Sequence, residues 1–207
     1  SESAYGDGIM ANFLGNHDTG RFSTLAAGEG DESCPDGVQL VSATPTDSDE
    51  AMARMRIAWT FLFTQSPAPL IYYGDEIGMP GFGDPDNRQP LWSHGLDLSQ
   101  SPSLDDALAQ LDETAASMLE HVSRLAQARR DHPELYQGET HEWWMGPEDW
   151  PTTWAWSRVD PHTGRGSLTI LNLSGETVSL ENSLNFSGLP SEGTYVDILS
   201  DESFEAI

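Results

Sequence analysis

An α/β fold followed by a smaller β domain is what the sequence predicts, on three observations. Two short apolar runs, residues 9–14 and 70–73, each lead through a glycine into a polar cluster, as buried strands do. Helical patterns follow both runs, and strand, loop, helix, strand is an α/β order. Past Gly138 the pattern changes to short strands separated by turns.

In chain order, the first run closes at Gly15 and opens into Asn16-His17-Asp18. Residues 23–48, rich in Gly, Ser, Thr, Asp and Pro with a turn signal at Cys34-Pro35-Asp36-Gly37, read as loop. Asp47 with Glu50 three residues later has capping-box spacing, and Met52, Met55, Trp59 and Leu62 recur at helical spacing as a core face up to about Thr64. Pro67 and Pro69 end that helix. Leu70-Ile71-Tyr72-Tyr73 reads as the second strand, with Tyr72 and Tyr73 expected in the core, and it runs into Asp75-Glu76. Residues 78–102 are too long and too dense in Gly, Pro, Asp and Asn for an idle connection. The second helix has an apolar face of Ala115, Met118, Leu119, Val122, Leu125 and Ala126, cations at Arg129 and Arg130, and a stop at His132-Pro133. Trp143, Trp144, Trp154 and Trp156, then residues 167–173 and 195–199, read as strands, the tryptophans as packing rather than binding surfaces. The domain boundary is placed near 138, giving domains 1–138 and 139–207.

Composition narrows the function. A formal charge of −25, with nine Arg and no Lys, leaves no basic stripe for nucleic acid or an anionic membrane. So acidic a surface suits a neutral substrate and leans towards an extracellular or salty setting. The lone Cys34 forms neither an internal disulfide nor a zinc cluster, and His94, His121, His132, His141 and His162 lack metal-ligand spacing, so no metal or other cofactor is expected. No apolar run is long enough to span a bilayer, and Ser1-Glu2-Ser3 has no features of a signal peptide. A segment of a longer polypeptide is the expectation.

An imidazole and a carboxylate just beyond a buried strand stand where barrel enzymes keep their sites. Phe13-Leu14-Gly15-Asn16-His17-Asp18 with Arg21-Phe22, then residues 70–79, then Asp84-Pro85-Asp86-Asn87-Arg88, resemble three ordered motifs of glycoside hydrolase family 13, the α-amylase family. The resemblance implies that residues 9 to about 136 are the last two strand-helix units of a (β/α)8 TIM barrel, and that 139–207 are an antiparallel, sandwich-like β domain short of its last strands. One departure is Ser66-Pro67-Ala68-Pro69, where the family commonly has Pro-Gly-x-Pro. It bears on the turn, not on the assignment.

By the same resemblance, Asp18 stabilises the transition state by gripping hydroxyls of the sugar being cleaved, and His17 donates to that sugar. Asp84 and Arg88 bind the next sugar on the donor side, although a loop-internal ion pair is their plainer use and both hold together. Asp75-Glu76 is not a catalytic pair, because adjacent side chains at a strand end diverge; its implied role is structural. The nucleophile and general acid belong to earlier barrel strands, so the expected function is part of a retaining enzyme acting on α-glucosidic linkages, hydrolase or transferase, with this chain alone inactive. The implied partner is an α-linked glucan or oligosaccharide, and calcium belongs, if anywhere, to a longer polypeptide. A family member serving as a non-catalytic structural or partner-binding subunit is the competing reading, against which intact His17, Asp18, Asp84 and Arg88 argue. A free carbohydrate-binding module at 139–207 is the third.

Overall fold

The computed structural model describes residues 10–28, 48–143, 152–178, 188–190 and 192–206. Two compact units divide the chain: Ser1–Leu62 with Ala68–Ser123, and Phe63–Pro67 with Arg124–Ile207.

In the first unit, strand β1 (Ala11–Phe13) pairs in parallel with β2 (Ala68–Leu70), Ala11 opposite Ala68 and Phe13 opposite Leu70. The second strand thus lies earlier than residues 70–73 and runs through Pro69. The Ala68 N–H donates to the Met10 carbonyl at 2.9 Å, and strand alternation turns the N–H that Pro69 lacks away from β1. Tyr72 and Tyr73 fall beyond the strand. Tyr73 is 39% exposed, so it does not fill a core as expected. Gly74 then takes φ 89°, and a side chain there would meet Met79 Cε at 2.8 Å, so only glycine lets the chain turn into the 3-10 turn Asp75–Ile77.

Residues 23–26, expected as loop, form with Phe22 a short helix α1 (Phe22–Ala26) whose polar side chains are cross-links. Ser23 Oγ donates to the Met79 carbonyl at 2.7 Å, and Thr24 Oγ1 accepts the Gly81 N–H at 2.9 Å. The remainder of that stretch, with Cys34 and the expected cap Asp47, lies outside the described residues. Helix α2 (Asp49–Thr64) is capped by Ser48, whose Oγ accepts the Ala51 N–H at 3.2 Å. Its face of Met52, Met55, Trp59 and Leu62 is buried as the spacing predicts. The glycine- and proline-rich stretch after Gly78 folds into 3-10 turns and the short helix α3 (Leu104–Leu108). It closes a cluster of Ile77, Met79, Leu96 and Ala107, against which Leu91, Leu111, Ala115 and Leu119 pack.

Helix α4 (Glu113–Asp131) starts at Asp112, whose Oδ1 accepts the Ala115 N–H at 2.9 Å, and it buries Met118, Val122 and Leu125. No helix of the described residues is long and apolar enough to cross a membrane. One turn, α5 (Glu134–Gln137), follows Pro133.

In the second unit, the Arg129 guanidinium donates to the carbonyls of Phe63 at 2.7 Å and Gln65 at 2.6 Å, the last residues of α2 and the turn after it. Its charge therefore lies in the last turn of its own helix, as the sequence predicts, and also serves the carbonyls at the end of α2. Helix gives way to strand at Gly138. Strands β3 (Glu139–Trp143), β4 (Thr153–Val159) and β5 (Gly166–Asn172) form an antiparallel sheet in that order, and β6 (Gly193–Val196) pairs with β7 (Ser203–Ala206). The β4–β5 turn is held by Asp160, which accepts the His162 N–H at 2.8 Å and the Thr163 hydroxyl at 2.7 Å. Trp156 is buried at 3%, and Trp154, 38% exposed, lays its ring against that of Trp156 with centroids 5.2 Å apart. Trp143 and Trp144 carry no described side chain.

Candidate functional site

Just past β1 the chain makes a tight polar turn. Asn16 Oδ1 accepts the Asp18 N–H at 2.7 Å, an Asx turn that holds His17 and Asp18 out to solvent. Their side chains are 63% and 72% exposed, with His17 Nε2 3.3 Å from Asp18 Oδ1. Gly15 must stay small beneath them, because a Cβ there would lie 3.0 Å from Asp75 Oδ2.

The turn is tied to the loop after β2. Asn87, fully buried, donates from Nδ2 to the carbonyls of His17 at 3.0 Å and Thr19 at 2.7 Å, the residues on either side of Asp18. Arg88 Nε donates to the same His17 carbonyl at 3.3 Å and lies 3.2 Å from Asp84 Oδ1. All four sequence-predicted residues therefore belong to one constellation, and Asp84 with Arg88 does form the loop-internal ion pair. At 57% and 44% exposure that pair contributes little to stability, about 0–1 kcal/mol, and leaves both groups open to a ligand.

Beneath the surface lies a buried hub whose parts the sequence reading left without partners. Arg21 Nη1 donates to Asp75 Oδ1 at 2.8 Å and to the Tyr73 carbonyl, and Arg21 Nε donates to the Asn87 carbonyl at 2.9 Å. The Arg21 and Asp75 side chains are 0% and 2% exposed. The guanidinium carbon sits 4.1 Å from the Tyr72 ring centre and 4.9 Å from that of Tyr73, which accounts for two tyrosines outside any core. Burial pushes the Asp75 carboxyl above its ordinary range, against the pull of Arg21. The pair Asp75-Glu76 is thus scaffold on the Asp75 side, aimed away from solvent. Carboxylate pairing of Arg21 had only a weak signal in sequence: a lone arginine three residues past Asp18.

Burial also raises the Glu76 carboxyl above its ordinary 4.5, against backbone N–H groups that lower it, and Glu76 Oε2 is buried without a hydrogen-bond partner. Folded Glu76 then holds its proton more tightly than unfolded Glu76. Its stabilising effect is full below pH 4.5 and is lost as pH rises through the raised value. In the full catalytic polypeptide, Glu76→Gln should gain stability relative to the native residue across that rise in urea unfolding curves. A stability difference independent of pH would refute this.

Among the described residues no group of three or more His, Cys, Asp or Glu comes together to hold a metal ion.

No protein-family model matches the chain. It is 30% identical to an α-amylase of Streptomyces lividans over 90% of its own length, and 29% identical to neopullulanase 2 of Thermoactinomyces vulgaris over 92%. It spans about a fifth to a quarter of those relatives, 19% and 25% of their lengths. In structure, 99% of the chain aligns with 36% of an α-amylase from Geobacillus thermoleovorans complexed with acarbose, with TM-score 0.64 at 21% identity. An Anoxybacillus α-amylase aligns with 96% of the chain, over 34% of its own length, with TM-score 0.62 at 19% identity.

Proposed function

From the membership of this chain in glycoside hydrolase family 13, the α-amylase family, we propose that it is the C-terminal part of a retaining enzyme that hydrolyses or transfers α-glucosidic linkages. Residues 9–136 supply the last two strand-helix units of its catalytic barrel and 139–207 its C-terminal β domain. The observation that carries the reading is the exposed constellation of His17, Asp18, Asp84 and Arg88, two side-chain pairs joined through the His17 carbonyl.

The substrate is an α-linked glucan or oligosaccharide. Asp18 accepts hydrogen bonds from hydroxyls of the sugar being cleaved and tightens its hold as the ring flattens towards the oxocarbenium-like state. His17 donates to the same sugar. Asp84 and Arg88, freed from each other by a ligand, bind the next sugar on the donor side. A retaining mechanism also requires a nucleophile and a general acid about 5–5.5 Å apart, and these come from earlier strands of the same polypeptide. Two parallel strands leave open edges, so the segment is inactive and poorly folded without the strands that would flank β1 and β2.

The test is the sequence of the native polypeptide, followed by NMR of the products it releases from an α-glucan. An Asp and a Glu at the ends of two earlier strands, with products in the α configuration, are expected. Inverted products would overturn the mechanism. Starch hydrolysis by the 207-residue chain alone, abolished by Asp18→Asn, would overturn the requirement for the missing strands.

A further inference from the structure

We infer that Asn87 is a positioning residue for the reaction, a clip through which the Asp84–Arg88 loop sets the place of Asp18. The inference rests on the proposed role of Asp18 and goes beyond it. Asn87 is 0% exposed and meets no ligand itself. Its Nδ2 spends both protons on the carbonyls of His17 and Thr19, at 3.0 and 2.7 Å, so the residues before and after Asp18 are held by one amide. The orientation of that amide follows from its partners, because two carbonyl oxygens accept and only the NH2 group donates. The Asn87 carbonyl is held in turn by Arg21 Nε at 2.9 Å, and Arg21 is anchored to Asp75, so the clip stands on a buried base. Close packing leaves no slack: a Cβ on Gly81 would lie 2.8 Å from the Asn87 Cα.

This arrangement answers a problem of the site. Asp18 is 72% exposed, and among the described residues its carboxylate meets only the neighbouring His17, at 3.3 Å, so its place is set by its backbone. A group meant to strengthen its grip only in the transition state must already stand in place, and an error of about 1 Å costs about 100-fold in rate. The rigid element is therefore the backbone of the turn, and Asn87 is what makes it rigid. Arg88, next in the chain, reaches the same His17 carbonyl, which joins the donor-side sugar contact to the cleavage-side one by a single residue step.

Asn87→Asp is nearly isosteric and sets a carboxylate oxygen against the two carbonyls; Asn87→Ser keeps one donor. In the full catalytic polypeptide, Asn87→Asp is expected to lower kcat about 10–100-fold with KM within about threefold, and Asn87→Ser to fall between it and the native enzyme. Because the clip acts through Asp18, Asn87→Asp added to Asp18→Asn is expected to cost no more than Asp18→Asn alone. Rates are read per folded molecule, well below each variant's measured Tm. Additive losses, or normal kcat in folded Asn87→Asp and Asn87→Ser beside an impaired Asp18→Asn, would overturn the clip and leave the role of Asp18 standing. Normal kcat in Asp18→Asn would overturn that role and the clip with it.

Discussion

Arg21→Ala is expected to destabilise the fold by about 3–5 kcal/mol, the usual cost of removing one partner from a buried ion pair. At 0% and 2% exposure neither Arg21 nor Asp75 has water to turn to, and burial already disfavours the charged carboxylate. The loss extends beyond Asp75. The carbonyls of Tyr73 and Asn87 would keep no guanidinium donor, and the two tyrosine rings would face a void. Arg21→Lys is expected to recover only part, since an ammonium on a flexible stem cannot present the planar fork that reaches three acceptors and slides beneath the rings. Urea unfolding of the full catalytic polypeptide measures both. A loss of less than about 1 kcal/mol in Arg21→Ala would show that the hub is not what joins the two motifs.

Asp18→Asn in the full catalytic polypeptide is expected to lower kcat about 100–1,000-fold while leaving stability unchanged within about 0.5 kcal/mol. The contrast with Arg21 comes from position. Asp18 is exposed and its backbone is held by Asn16 and by the carbonyls on either side, none of which depends on its carboxylate. The variant keeps a neutral acceptor of the same shape, so substrate binding survives, while the charge that strengthens the hold on the flattening sugar is lost. A fall in kcat/KM carried by KM alone would place Asp18 in ground-state binding instead.

Much of this was legible in the chain. Helical spacing located the buried face of α2 and most of that of α4, because a 3.6-residue period is a local property that survives any tertiary arrangement. The second strand was read too late because Pro69 argues against a strand unless the direction of the N–H it lacks is known, and that direction depends on where β1 lies. Residues 23–26 read as loop because Ser23 and Thr24 are poor helix formers, and their reward is hydrogen bonds to Met79 and Gly81 more than fifty residues away.

By itself the sequence determined the strand, helix, strand order of the first unit and the motifs that resemble those of the family, and through that resemblance it pointed to His17, Asp18, Asp84 and Arg88. Motifs depend on residue type and short spacing. Only the tertiary structure decided what holds them: Arg21 on Asp75, 54 residues apart, and Asn87 on the carbonyls of His17 and Thr19, 70 and 68 residues apart. Such bonds leave no periodicity. A buried polar group is satisfied by whichever partner the fold brings to it, and a backbone carbonyl as acceptor has no residue identity to read.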